Sequence, residues 1–156
     1  MSRTPLLPTI IGTGFGAGFW PWGPGTAGAV VATLLWLLMG IVVGTATLPW
    51  LTLVLIVVFT VLGTWATARL EPFWGEDPSR VVVDEMVGVW TPLLLATTWQ
   101  EALVALVLFR FFDIVKPLGI RSLDRRNGPF WVMADDLLAG VYSAVVLYLI
   151  IFIGRE

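Results

Sequence analysis

Five carboxylates, Asp84, Glu85, Asp113, Asp135 and Asp136, lie about one helical turn inside the ends of long apolar runs. Ionised groups at such depth are costly and persist where polar or cationic groups meet them. Acids so placed can hold a hard divalent cation, move protons or attack as nucleophiles. The chain contains no histidine and no cysteine. That removes histidine nucleophiles, Ser-His-Asp triads, His-ligated zinc, thiolates and disulfides. Carboxylates, hydroxyls, arginines and an oxygen-ligated cation remain.

Spacing sorts these residues into groups. Asp84 and Glu85 are adjacent, so on a helix they point about 100° apart. They line one cavity only if it is wide, or one binds while the other orients it; the alternative is an ion pair with Arg69 or Arg80. Arg110, Asp113 and Lys116, three apart, share one helical face with charges ordered plus, minus, plus. That face could hold a phosphate and a cation, or form an internal salt bridge with snorkelling ends. Pro117 should end or kink this helix. Of Asp135 and Asp136, one could simply cap the last helix, where the dipole favours negative charge; the second needs another reason. Ahead of the first long helix, the run from Gly12 to Gly18 and Pro21 to Gly28 is dense in glycine. Its Gly25-Thr26 pair could offer amides and a hydroxyl to an anion; the competing reading is close helix packing through small residues. No lysine follows, so it is not a Walker loop.

These groups need positioning elements, and the composition says what kind. At 156 residues and 58% hydrophobic, with mean hydropathy +0.90, the chain reads as one integral-membrane domain over residues 1–156. Its formal charge of −2, and basic residues that fall mostly in two short stretches and not along one helical face, argue against a nucleic-acid partner. The N-terminus lacks the pattern of a cleaved signal peptide. Apolar windows at Ala29 to Leu48, Leu51 to Leu70, Val81 to Thr98, Ala102 to Val115 and Leu137 to Ile153 predict an all-α, polytopic bundle of about five membrane helices, preceded by a Gly-rich re-entrant or interfacial segment. Arg69, Arg80, Lys116, Arg121, Arg125 and Arg126 fall in or beside two connections, whereas the turns near Pro49 and Gln100 have no basic residue. The basic connections are therefore expected on the cytoplasmic side, with the N-terminus inside and Arg155 and Glu156 outside. Trp20, Trp22, Trp74 and Trp131 then fall near the inner boundary and Trp50 and Trp99 near the outer one. All five acids gather at the inner face.

Taken together, Gly14-Phe15-Gly16 with Pro24-Gly25-Thr26-Ala27-Gly28, Val83-Asp84-Glu85-x-x-Gly88, Phe109-Arg110-Phe111-Phe112-Asp113-x-x-Lys116-Pro117 with Ile120-Arg121 and Asp124-Arg125, and Asp135-Asp136-x-x-Ala139-Gly140 resemble the phosphatidylglycerophosphatase A family over nearly the whole chain. The resemblance implies a Mg²⁺-dependent lipid phosphatase of the bacterial inner membrane that converts phosphatidylglycerol phosphate to phosphatidylglycerol and inorganic phosphate. Some relatives carry histidine before the Asp-Glu motif and before the Asp-Asp pair; here those stretches read Glu76-Asp77-Pro78-Ser79 and Asn127-Gly128-Pro129-Phe130.

On this reading Glu85, Asp113 and Asp136 are expected to ligate Mg²⁺, with Asp84 and Asp135 as further ligands or orienting groups. Arg110, Lys116 and Arg121, with Gly25 and Thr26, are expected to hold the phosphate. Attack by water and a covalent aspartyl-phosphate both remain open. The partner is a phospholipid, and an oligomer is compatible with the sequence. The rival is a small transporter using the same carboxylates along a translocation path, which would spread acids through the bilayer depth.

Overall fold

The computed structural model describes residues 4–117 and 119–154. Its elements are α1 (Leu6–Gly12), a 3-10 turn (Ala17–Phe19), α2 (Pro24–Val43), α3 (Leu48–Trp74), α4 (Val83–Leu93), α5 (Trp99–Val115), α6 (Ile120–Asp124) and α7 (Pro129–Ile153). No strand occurs among the described residues. The expected positions of Arg155 and Glu156 lie outside them.

Three helices, α2, α3 and α7, are long and apolar enough to cross a membrane. They bury one stripe each and expose the rest, for example Leu34, Leu38, Ile41 and Val42 on α2 and Val54, Val57 and Val61 on α3. Helices with this all-round apolarity are stable where the exterior is hydrocarbon. The helices depart from several of the predicted windows. The window from Val81 to Thr98 yields an 11-residue helix, α4, about 16 Å long against a hydrocarbon core of about 30 Å. Pro92 has no N–H for the last turn, and the chain then tightens: Leu95 N–H donates to Pro92 O and Ala96 N–H to Leu93 O. Helix α5 has 17 residues and starts on a capping box between Thr98 and Glu101, which gives Glu101 a structural role. It ends before Pro117, as expected.

Helix α4 is the hub. Nine of its residues are buried, and it packs against α2, α3, α5 and α7. Its Trp90 Nε1–H donates to Ala32 O of α2 at 3.1 Å, and Trp36 Nε1–H of α2 donates to Thr52 Oγ1 of α3 at 3.0 Å. Against α7, Gly88 and Gly140 permit backbone contact: a Cβ on Gly140 would run into Gly88 O and lie 2.8 Å from Thr91 Cβ.

The glycine-rich segment packs tightly around the start of α4. Gly14, Phe15 and Gly16 all have positive φ, which reverses the chain, and the Thr13 hydroxyl accepts from Gly16 N–H at 3.1 Å. The Phe15 ring meets Phe59 and the Phe19 ring meets Trp74. These two partners are about 22 Å apart along α3, so the segment runs along that helix and back. Gly12 O accepts from Val82 N–H at 2.8 Å, a Cβ on Gly18 would overlap Arg80 O, and one on Gly28 would lie 2.7 Å from Val82 Cβ. Of the two readings of these glycines, Gly12, Gly18 and Gly28 follow close packing: they fix residues 80–82, immediately before Asp84 and Glu85.

Gly140→Ala should therefore lower the thermal midpoint in detergent by several degrees, corresponding to about 1–3 kcal/mol of overpacking. Gly40→Ala, where a Cβ meets only the flexible Leu48 Cδ2 at 3.1 Å, should change it little; equal midpoints for the two variants would show that the α4–α7 contact is not tight.

Candidate active site

Helices α2, α4 and α7 begin, and α3 and α5 end, on the side where the acids lie. Asp84 and Glu85 occupy the first turn of α4, whose N-cap Val82 offers no side-chain cap. Negative charge there is favoured by the helix dipole. Helix α7 starts at Pro129, eight residues before the expected window, with proline in its first turn, a position that suits it. Asp135 and Asp136 therefore sit in the second turn, and the capping explanation does not apply to either. Asp84, Asp113, Asp135 and Asp136 are all buried, none more than 8% exposed.

Asp84, Glu85 and Asp136 each offer a carboxylate oxygen, and these oxygens lie within 4.8 Å of one another. Asp84 Oδ1, Glu85 Oε2 and Asp136 Oδ2 are buried without a hydrogen-bond partner. Buried acceptors without donors are rare because each forfeits its hydration. Three together call for a proton or a cation between them. The set is all oxygen and would fit a hard divalent ion. The adjacent pair Asp84 and Glu85 thus both face one site.

Asp113 and Asp135 have a different geometry. Asp113 pairs with Arg110, and Asp135 accepts from Lys116 Nζ at 2.9 Å. Lys116 also pairs with Asp124 and stands at the end of α5 with left-handed φ of 49°. Burial disfavours its charged form, but the hydrogen bonds and charges of Asp124 and Asp135 outweigh that and raise its pKa, so it stays cationic. Arg110 keeps Nε buried and unpartnered. Gly25, inside the first turn of α2 rather than before it, faces this corner: a Cβ there would overlap Glu85 Oε1 and lie 3.2 Å from Arg110 Nη1. Thr26 and Arg121 are exposed and are not brought in; Arg121 Nη2 donates to Val115 O at 3.4 Å.

The acids and Lys116 open onto a cavity of about 150 Å³. Its wall also contains Thr67, Glu71, Glu76, Asp77, Asp124 and Asn127, none of which the sequence reading placed in the site. Asp124 had a signal, since it lies within the recognised stretch after Lys116. Thr67 had none, because its helix reads as an ordinary apolar span. Desolvation at the wall raises the Asp77 pKa, with Lys116 opposing. Arg126 stacks over the Trp131 ring, 4.4 Å from its centroid, at the cavity edge.

A family model described as Phosphatidylglycerophosphatase A matches residues 10–151. A Bacteroides thetaiotaomicron protein named "Putative phosphatidylinositol-3-phosphatase" is 51% identical over 94% of this chain and 95% of its own length. Proteins named phosphatidylglycerophosphatase A from Escherichia coli and Haemophilus influenzae are 36% and 35% identical, covering 94% and 90% of this chain and 83% and 86% of their own lengths. No solved structure gives a significant match. With a carboxylate cavity at one end of an apolar helical bundle and family similarity along almost all of its length, the chain belongs to the phosphatidylglycerophosphatase A family of phosphatases.

Proposed function

We propose that this protein hydrolyses the terminal phosphomonoester of phosphatidylglycerol phosphate at the inner face of a bacterial cytoplasmic membrane, with Mg²⁺ held by Asp84, Glu85 and Asp136. The observation that carries the reading is the convergence of three carboxylates, each of which also has a buried oxygen without a hydrogen-bond partner, in a member of this family. A phosphate dianion is repelled by a wall this acidic unless positive charge accompanies it. When bound, the cation supplies that charge and lowers the pKa of a coordinated water. The chain's own cations do the rest. Arg110, anchored by Asp113 and abutting Gly25, presents fixed positive charge to phosphate oxygens. Lys116, tied to Asp124 and Asp135, supplies a second charge. Asp113 and Asp135 act here as positioning residues.

The same reading takes α2, α3, α4, α5 and α7 as five crossings, with α4 short because it lies inside the bundle, and residues 5–20 as a re-entrant segment along α3. The exposed Trp20 and Trp22 at one end and Trp50 and Trp99 at the other agree with two headgroup levels. The acids cluster at one end and are not strung through the depth of the bundle, which favours hydrolysis of a headgroup over transport. The 51% identical relative supports a second substrate, phosphatidylinositol 3-phosphate, offered to the same site.

Purified protein in mixed micelles should release inorganic phosphate from phosphatidylglycerol phosphate with Mg²⁺, lose roughly 100-fold or more in EDTA and recover when Mg²⁺ is restored. Asp136→Asn should cost a similar factor, since even outer-shell changes at metal sites cost about 10–100-fold, while helical circular dichroism is retained. Activity persisting in EDTA and in Asp136→Asn would sink the metal assignment. Parallel assays with phosphatidylinositol 3-phosphate should give the lower kcat/KM; the reverse order makes the inositol lipid the substrate. Because the chain has no cysteine, Ser79→Cys and Thr45→Cys each introduce one thiol. A membrane-impermeant maleimide should label the first only from the cytoplasmic side and the second only from outside, and labelling of both from one side would refute five crossings.

A further inference from the structure

The Thr67 hydroxyl departs from the pattern of its neighbours. Beyond the first turn of the described helices, the hydroxyls of Thr9, Thr33, Thr52, Thr60, Thr64, Thr91 and Ser143 all donate to the carbonyl four residues back, at 2.7–3.2 Å. This is the usual way a helical threonine or serine satisfies itself in apolar surroundings. Thr67 is 2% exposed, yet its Oγ1 makes no hydrogen bond and the residue lines the acidic cavity.

Its place in the fold follows from Gly63, one turn earlier on α3. A Cβ at Gly63 would lie 2.9 Å from Met133 of α7 and 3.0 Å from Val83 of α4. The face of α3 that touches those helices therefore continues, one turn on, to Thr67. α3 runs antiparallel to α4 and α7, so this step leads toward the ends of those helices where the cavity lies. Thr67 lines the same cavity as Asp84, Glu85 and Asp136, the carboxylates that the metal reading uses.

We infer that the Thr67 hydroxyl is a phosphate-contacting group, donating a hydrogen bond to a non-bridging oxygen of the bound phosphoryl group. The inference rests on the proposed phosphatase reading of this cavity. A hydroxyl is suited to the task among carboxylates: it adds a donor without adding charge, and unlike Arg110 and Lys116 it has no acid holding it.

The test is binding of inorganic phosphate, in the presence of Mg²⁺, to purified wild type, Thr67→Val and Thr67→Ser by titration calorimetry, with thermal midpoints measured alongside. Valine keeps the shape and removes the hydroxyl. It should weaken phosphate binding about 10–100-fold, the loss expected for one hydrogen bond to a charged group, and leave the midpoint unchanged or higher. Serine should restore binding to within a few-fold of wild type. Equal binding by Thr67→Val and wild type, or no binding by wild type, overturns the inference; so does a parallel loss of binding and stability in both variants, which marks a packing role. Failure of the wild type to hydrolyse lipid phosphates, with a phosphate affinity that still depends on the hydroxyl, would instead reject the proposed substrate class.

Discussion

Repulsion among carboxylates held away from bulk water is the constraint around which this protein is organised. Asp84, Glu85 and Asp136 bring oxygens within 4.8 Å of one another at the ends of helices whose outer faces are apolar. Left alone, such a cluster would protonate or spread apart. The structure instead divides the acids into two kinds. Asp113 and Asp135 have cationic partners in Arg110 and Lys116, whereas the convergent three do not. The paired and the unpaired acids thus share one cavity wall.

Holding that arrangement requires helices that approach more closely than ordinary side chains permit. Gly88 and Gly140 bring α4 against α7, setting Asp136 beside the Asp84-Glu85 turn, and Gly63 brings α3 against both. Gly25 leaves room on α2 for the Glu85 carboxylate and the Arg110 guanidinium. In hydrocarbon there is little hydrophobic drive between helices, so close van der Waals contact of this kind carries more of the association. The tight packing and the acid cluster are therefore linked: loosening the first widens the second.

The glycine-rich N-terminal segment contributes at one remove. Its contacts to Arg80 and Val82 fix the peptide that leads into α4. The buried helix then carries Asp84 and Glu85 inward on its first turn and ends after Pro92, short of a full membrane thickness. A short, wholly surrounded helix can carry two acids because none of its faces needs to meet lipid.

Much of this was legible in the sequence. The apolar runs gave the three long helices, Pro117 the end of α5, and the absence of histidine and cysteine left oxygen ligands as the only route to a bound metal. The depth of Asp84, Glu85, Asp113, Asp135 and Asp136 in those runs marked them as the chemically interesting residues, and their motifs carried the family. Hydrophobicity and spacing suffice for these because they are one-dimensional properties. The lengths of α4 and the start of α7 were misread, since apolar composition does not distinguish a crossing helix from a short buried one, and Pro129 began the last helix in a stretch that reads as loop. Which acids converge, which are tied to Arg110 and Lys116, and that Thr67 lines the cavity were decided only by tertiary structure. Each depends on how closely two helices approach and at what rotation, which small residues on several elements set jointly and no single stretch of sequence encodes.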